Sequence, residues 1–353
     1  MTDRLAGLLE HQADAAERHG SPMYGALLHR TAAEVGRAGP LRRVLEQHAD
    51  APGPAATGLR LLGAVHRLVL EGGADDLAPY YPSVGGTWDL EGAWPAYVAL
   101  LDDRHDDVTR WMRRPPQTNE VGRAAALAGG LLRLVETHPL PVRLYELGAS
   151  AGLNLRADRF CYVGASGSWG PVDSPVQLDP AWVGVPTPVS GRLDVVERVG
   201  CDPDPVDVGT AEGRLVLTSY VWPDQAARLD RLRGAFRVAE EVAATVREQS
   251  AADLVAGLDL ADGTLTVLWH SLMWQYLDRA ERTAVDEDVR RLGATATERA
   301  PFAHLFLEPR RRTPEAEHEF LVVLERWPSA GPGGDKTVLG PAHPHGVPVR
   351  WEC

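Results

Sequence analysis

The stretch from Val142 to Leu155 constrains the fold more than any other part of this chain. It reads Val-Arg-Leu-Tyr-Glu-Leu-Gly-Ala-Ser-Ala-Gly-Leu-Asn-Leu, so that an apolar run is followed by glycines at positions 148 and 152. Glycine allows the backbone to adopt left-handed conformations and to pass close to a ligand. We therefore predict a strand, a tight turn and a helix, and N–H groups at the start of that helix could bind a negatively charged group.

Hydrophobic periodicity divides the chain near residue 140. Residues 1–140 carry helical patterns, among them the apolar repeat from Leu59 to Leu70 and a helix that Ser21 can cap. Residues 141–353 alternate strand-like and helix-like segments, with a Gly-, Pro- and Trp-rich insertion near 161–192. We predict a helical N-terminal domain that forms a cap over the substrate, followed by an α/β domain. The expected strands are 144–147, 195–202, 245–247, 264–269, 302–307, 320–324 and 347–351.

Composition excludes several classes of protein. The net charge of −13 argues against a nucleic-acid partner, which would need a basic surface. No apolar run approaches the roughly 20 residues of a membrane span, and the first residues do not resemble a signal peptide, so we expect a cytoplasmic protein. Cys161, Cys201 and Cys353 are isolated, and no metal site is predicted. Lys336, the only lysine, does not lie in a P-loop pattern.

Acidic residues end the first two predicted strands. In an open parallel sheet, ligands bind outside the carboxyl ends of the strands, at the point where the strand order reverses. Glu146 at the first strand end could pair with an amine or a ribose hydroxyl, and Asp202 at the second could accept both hydroxyls of a ribose. Asp202 precedes a proline, however, and could equally initiate a turn. The pattern favours a nucleoside-type ligand and leaves the structural alternative open.

The spacing from Glu146 to Gly152, Glu-x-Gly-x-x-x-Gly, resembles the first motif of class I S-adenosylmethionine-dependent methyltransferases. The segment that ends on Asp202 looks like their second motif. The resemblance implies a Rossmann-like sheet with S-adenosylmethionine as cofactor, and it places Asp253 beside the adenine amine, although Asp253 could instead stabilise the first turn of a helix. The cofactor-binding residues it implies are Glu146, Gly148, Ala149, Ser150, Gly152, Asn154, Asp202, Asp253 and Arg123.

Several segments together resemble a family of uncharacterised bacterial proteins, the domain of unknown function 2332, which is grouped with the methyltransferase superfamily. These segments extend over most of the chain and are 118–123, 145–155, 200–207, 221–225, 269–276 and 344–346. The resemblance implies a methyltransferase-like fold and no particular substrate. The long insertion departs from a minimal methyltransferase and leaves the position of the second strand open.

The expected reaction is methyl transfer to an oxygen or nitrogen atom of a small molecule. His270 is the candidate general base, because an imidazole titrates near neutral pH, although a buried structural histidine is the alternative. Arg123 could bind a carboxylate at the amino-acid end of the cofactor. The candidate substrate-binding residues are Asn119, Glu120, Tyr81, Trp222, Ser271, Trp274 and Tyr276. A homodimer is one of the assemblies that the sequence allows.

Two other functions stay open. Residues 148–152 also read Gly-x-Ser-x-Gly, the nucleophile turn of α/β-hydrolases, with Asp253 or Asp262 as the acid and His343 or His345 as the base. A protein that binds an adenosyl ligand without catalysis is the other alternative, because no Asn/Asp-Pro-Pro-Tyr acceptor motif follows the fourth strand.

Overall fold

The computed structural model describes residues 2–48, 56–165, 167–185, 187–188, 191–329, 331 and 333–353. The chain divides into two compact units. A helical unit comprises Met1–Thr118 and Thr210–Asp230, and an α/β unit comprises Asn119–Gly209 and Arg231–Cys353. The predicted boundary at residue 140 differs from this division, because residues 119–140 belong to the α/β unit and residues 210–230 belong to the helical unit.

The secondary structure follows the predicted alternation of helices and strands. The α-helices are α1 (Thr2–Arg18), α2 (Pro22–Glu34), α3 (Pro40–Leu45), α4 (Thr57–Leu70), α5 (Leu90–Asp103), α6 (His105–Met112), α7 (Ala124–Thr137), α8 (Ala211–Ser219), α9 (Ala226–Glu241), α10 (Ala251–Ala256) and α11 (Arg279–Thr295). The strands are β1 (Val142–Leu147), β2 (Cys161–Gly164), β3 (Gly167–Trp169), β4 (Gln177–Gly184), β5 (Val195–Asp202), β6 (Thr245–Glu248), β7 (Leu265–Ser271), β8 (Phe302–Arg310), β9 (Glu319–Trp327), β10 (Asp335–Pro341) and β11 (Val349–Trp351).

The helical unit is held together by an apolar core and by caps. The predicted cap at Ser21 is confirmed, because its hydroxyl accepts a hydrogen bond from the Tyr24 N–H at 3.2 Å. Asp224 connects the segment Thr210–Asp230 to α2 within this unit. Its carboxylate accepts the Ser21 hydroxyl at 2.7 Å and the Met23 N–H at 3.0 Å, so it satisfies one of the free donors at the start of α2.

The α/β unit is built on a seven-stranded sheet with the order β10-β9-β8-β7-β1-β5-β6. Five neighbouring strands are parallel, namely β6, β5, β1, β7 and β8. The strands β9 and β10 are antiparallel additions at one edge. From β1 the chain moves outwards to β5 and β6, and it then returns to β7 on the other side of β1. The strand order therefore reverses between β1 and β7, which is the Rossmann-like arrangement that the sequence predicts.

Helices cover both faces of this sheet. Apolar residues of α10 and α11 pack with Tyr145 and Leu147 of β1 in one buried cluster. On the other face α7 approaches closely at Gly130, where a Cβ atom would lie 2.5 Å from the side chain of Leu305. Parallel sheets are normally covered in this way, because each crossover helix buries an apolar face against the strands.

The predicted insertion forms a second sheet with the order β11-β4-β2-β3. The predicted strand 347–351 is observed as β11, but it pairs with β4 of this small sheet rather than with the large one. The strand β10 was not predicted. Residues 166, 186, 189 and 190 of the insertion lie outside the described residues.

A separate turn precedes the helix before β1. This 3-10 turn, Val121–Arg123, leads into α7, and the Glu120 side chain caps it by accepting the Gly122 N–H at 3.2 Å. Throughout the described residues, no helix has both the length and the apolar composition that crossing a membrane requires.

Candidate functional site

The carboxyl ends of β1 and β7 lie next to each other where the strand order reverses, which is where ligands bind in open parallel sheets. Ser150, after β1, and Leu272, after β7, both have a φ of 52°. Left-handed backbone at residues with a Cβ atom is strained and persists only where the surrounding structure imposes it. The two strained residues mark this edge of the sheet as a candidate site.

The glycines of the turn after β1 are required by the fold itself. Gly148 and Gly152 have φ values of 62° and 66°. A Cβ atom would lie 2.9 Å from the Cβ of Met273 in the first case and 2.7 Å from the side chain of Val246 in the second. Ala149 is fully buried. These small residues are thus explained by packing whether or not a ligand binds.

The backbone donors of this turn are largely used within the protein. The Ser150 N–H donates to Asp202 Oδ2 at 2.9 Å, and the Leu153 N–H donates to Asn119 Oδ1 at 2.8 Å. A kinked 3-10 segment, Leu153–Arg159, stands where the sequence predicts a helix. The expectation of a helix N-terminus that offers several unpaired donors to an anion is therefore wrong.

Glu146 is the most perturbed group at this edge. Its carboxyl is 2% exposed, and burial raises its pKa to about 8 although Trp269 and Arg123 act in the opposite direction. The nearby Asp202 raises the pKa further, whereas Asn154 lowers it. At neutral pH the carboxyl is mostly protonated, and a cation beside it would favour its ionised form.

Three buried polar atoms at this position lack hydrogen-bond partners among the described residues: Glu146 Oε2, Asn154 Oδ1 and Trp269 Nε1. Trp269 lies beside Glu146 in the register of β7 with β1, and the Trp269 and Asn154 side chains lie close enough to lower the pKa of Glu146, although none of the three atoms makes a hydrogen bond of good geometry. Leaving a buried polar group unpaired costs about 1–3 kcal/mol. Two acceptors and one donor left unpaired together are the chemistry of a ligand site, and two acceptors suit an ammonium group.

Asp202 lies at the end of β5, as predicted, and holds the turn together. Its Oδ2 accepts the Ser150 N–H, and its Oδ1 accepts the Asp204 N–H at 3.0 Å. These bonds fit the turn-forming interpretation of Asp202, whereas binding of a ribose by this residue stays a prediction.

Asn119, Glu120 and Arg123 are brought to the same edge. The Glu120 carbonyl accepts the Asn154 side-chain N–H at 3.3 Å. The Arg123 guanidinium donates to the carbonyl oxygens of Pro344 at 3.1 Å and Ser271 at 3.4 Å. Arg123 thus contributes positive charge near Glu146 while it ties the C-terminal segment to the end of β7.

His270 is buried on the opposite face of the sheet from Glu146. It is 1% exposed, and its Nδ1 lies 2.9 Å from Glu308 Oε1. The same oxygen accepts the N–H groups of Met273 at 3.0 Å and Trp274 at 3.2 Å. The imidazole also stacks between Phe306 and Trp274, with ring centroids 5.2 and 5.1 Å away. Burial alone would raise the pKa of Glu308, but the bonds from His270 and the backbone lower it overall.

A second histidine–carboxylate pair lies next to the first. His304 Nδ1 is 3.1 Å from Glu325 Oε2, and the rings of His270 and His304 are 5.2 Å apart. Burial raises the pKa of Glu325, yet the bonds from His304 and Lys336 bring it down to about 2. Neither glutamate was predicted from the sequence, because the histidine and its partner are separated by 38 residues in one pair and by 21 in the other.

Other predicted site residues lie elsewhere. Asp253 is exposed in the first turn of α10, where it accepts the Ser250 hydroxyl at 2.7 Å, which fits the structural interpretation. The Tyr276 side chain is 67% exposed. Tyr81 and Trp222 are core residues of the helical unit.

The hydrolase alternative gains little from this geometry. Ser150 is only 3% exposed. Asp262 precedes β7, at the amino end of the sheet, and pairs with Arg299 at 3.0 Å. His345 does lie at the carboxyl edge, 3.6 Å from Glu120, but Asp253 is engaged by its own helix cap. No group of three or more His, Cys, Asp or Glu residues in the described ranges could hold a metal ion.

The fold and the strained switch point define a Rossmann-like α/β protein with an additional helical unit. The chain matches the model of the family described as an uncharacterized protein conserved in bacteria (DUF2332) over residues 6–351. Because the match covers almost the whole chain, the protein belongs to this family. A search of curated proteins gave no match.

Proposed function

We propose that this protein is an S-adenosylmethionine-dependent methyltransferase that acts on an oxygen or nitrogen atom of a small molecule. The observation that carries the proposal is the group of three unpaired polar atoms at the end of β1, Glu146 Oε2, Asn154 Oδ1 and Trp269 Nε1. The Rossmann-like strand order and the Asp202 carboxylate at the end of β5 support it.

The unpaired atoms match the amino-acid end of the cofactor. Its ammonium group would donate to the carboxyl of Glu146 and the amide oxygen of Asn154, and its carboxylate would accept the Trp269 indole N–H. Asp202 would accept hydroxyls of the ribose. Met273 packs against Gly148, so the loop after β7 has to shift when a ligand enters.

The sulfonium of the cofactor supplies an electrophilic methyl group, and the protein must orient the acceptor and remove its proton. His270 is the base that we propose. Glu308 binds its Nδ1, which leaves Nε2 as the atom that takes the proton. Glu308 also fixes the backbone of Met273 and Trp274, so the same carboxylate positions the loop and the imidazole.

Calorimetric titration with S-adenosylhomocysteine tests the binding step. We expect the Glu146→Gln variant to bind about 10- to 100-fold more weakly, because it loses a charge-assisted hydrogen bond. Affinity in the unsubstituted protein should rise about tenfold per pH unit up to about pH 8, since binding requires Glu146 to ionise. The control is Glu298→Gln, an exposed carboxylate before β8, which should bind normally.

Absence of binding by the unsubstituted protein would contradict the proposal. Equal affinity in the Glu146→Gln variant would contradict the assigned role of the carboxyl. The catalytic step is tested separately with His270→Gln, which we expect to retain cofactor binding and to transfer methyl groups about 100-fold or more slowly.

Binding without catalysis is the second candidate function, and the burial of His270 favours it. The ring is covered by Phe306 and Trp274, so no acceptor reaches it unless the loop moves. Bound S-adenosylmethionine together with no labelled product across a broad acceptor panel would favour this alternative.

A further inference from the structure

The helical unit contains a pocket that the proposed function does not use. It is a small pocket that opens to solvent, and its walls come from α4, α8, the end of α6 and the residues that follow α6. Gly63 of α4 lies against the ring of Tyr220, since a Cβ atom there would be 2.5 Å from the ring. Together with Val216 these residues give the pocket an apolar wall.

Two buried donors line the pocket without acceptors. The guanidinium of Arg67 lies over the ring of Trp111, with its carbon 3.5 Å from the ring centroid. The Nε of Arg67 donates to Glu71 at 2.9 Å, and its Nη2 donates to Glu212 at 2.6 Å. The remaining nitrogen, Nη1, is buried and has no acceptor among the described residues, and the same holds for the indole Nε1 of Trp111. Arg67 itself is only 4% exposed.

The charges around the pocket favour an anion. Arg114 lines the pocket, is exposed, and makes neither a side-chain hydrogen bond nor a salt bridge within the described part of the chain. Burial raises the pKa of Tyr220, whereas Arg60, Arg114 and Arg67 act in the opposite direction. Glu71 and Glu212 offset the charge of Arg67, so Arg114 is the pocket guanidinium that is left to attract an anion.

We propose that this pocket binds the carboxylate or phosphate group of a small molecule. Arg67 Nη1 and Trp111 Nε1 would donate to its oxygens, and Arg114 would attract it at the mouth. Unpaired buried donors need an acceptor, and an oxyanion accepts several donors at once while it compensates their charge. The inference rests on the helical unit alone and does not depend on the proposed methyltransferase activity.

Titration of the full chain with inorganic phosphate and, separately, with benzoate at constant ionic strength tests the proposal and distinguishes the two groups. Trp111→Phe keeps an aromatic ring but removes the indole N–H together with the pyrrole ring that carries it, and Arg114→Ala removes an exposed charge. We expect each variant to raise the Kd of the preferred anion about tenfold. Arg113→Ala is the matched control, because Arg113 is exposed in the same segment but does not line the pocket.

The control should change the Kd less than about twofold. Failure of both anions to bind with a Kd below about 10 mM would overturn the proposal. An equal effect of Arg113→Ala and Arg114→Ala would also overturn it, because it would indicate general attraction to a basic surface. If Trp111→Phe does not fold, the comparison of the two exposed arginines decides the matter alone.

Discussion

Glu146 and Glu308 are both buried near the carboxyl ends of strands in one sheet, yet their surroundings give them opposite properties. Glu308 accepts three hydrogen bonds on its Oε1, although its Oε2 is buried without a partner among the described residues, and its pKa is lowered. Glu146 has an oxygen without a donor, and its pKa is raised to about 8. Burial is common to both residues, so the supply of donors decides which carboxyl is ionised. The carboxylate that accepts three donors stabilises the fold, and the one whose pKa is raised is the candidate ligand group.

The largest expected effect follows from removing Glu308, the carboxylate that accepts three hydrogen bonds. Glu308→Ala should lower the free energy of unfolding by about 3–5 kcal/mol, because it leaves His270 and two backbone N–H groups buried without an acceptor. Urea denaturation at pH 7 measures the change. Glu308→Gln retains an acceptor oxygen and should lose clearly less. A loss below about 1 kcal/mol for the alanine variant would show that Glu308 does not hold this loop.

The pH dependence of stability should have opposite signs at the two residues. The lowered pKa of Glu308 gives stability that is present at neutral pH and is lost as the pH falls. The raised pKa of Glu146 means that the folded state holds a proton that the unfolded state releases. Between about pH 5 and 8, this group should therefore reduce stability by about 1.4 kcal/mol per pH unit.

Glu146→Gln isolates that contribution, because the amide cannot ionise. The variant should gain stability relative to the unsubstituted protein as the pH rises, up to about 4 kcal/mol at pH 8. Denaturation curves of both proteins at pH 5, 6.5 and 8 measure the difference. A difference that does not change with pH would mean that Glu146 titrates normally and that the contrast with Glu308 is wrong.

A smaller effect is expected at the turn that follows Glu146. Gly148→Ala should destabilise the protein by about 2–3 kcal/mol, because the residue has a φ of 62° and the added Cβ would lie 2.9 Å from Met273. Gly263 is the control: its φ is 79°, but nothing lies within 4 Å of an added Cβ. Gly263→Ala should cost only about 1 kcal/mol. Equal losses in thermal denaturation would show that packing against Met273 does not constrain the turn.

Local sequence patterns predicted most of the strands but not which strands pair with one another. The strands β1, β5 and β7 were recognisable because short apolar runs are bounded by turn residues. Their carboxyl ends carry Glu146, Asp202 and His270. The antiparallel strand β10 (Asp335–Pro341) has four polar or glycine residues in its seven and no long apolar run, so it gave a weak signal. The destination of β11 depends on its pairing with β4, which no local pattern specifies.

The candidate site was likewise predictable only where local sequence patterns define it. Glu146 and Asp202 were predictable because they end strands beside a glycine turn. Glu308 was not, because its role depends on a histidine in another strand. Trp269 was not among the predicted site residues, because only the register of β7 with β1 places it beside Glu146. Sequence therefore gives the position of a site, whereas the contacts across strands give its chemistry.

The smallest effect is expected at Asp253, the cofactor-binding candidate whose surroundings differ most from those of Glu146. Asp253 is exposed and accepts its own cap hydroxyl from Ser250, so Asp253→Asn should change the free energy of unfolding by less than about 0.5 kcal/mol. If the carboxylate contacts the adenine amine, the substitution should weaken S-adenosylhomocysteine binding about tenfold without altering stability. If it serves only α10, calorimetry should find unchanged affinity, as we expect. Loss of binding would extend the site from the unpaired atoms around Glu146 to the end of β6. Burial would then no longer distinguish the carboxylates that bind a ligand from those that are structural.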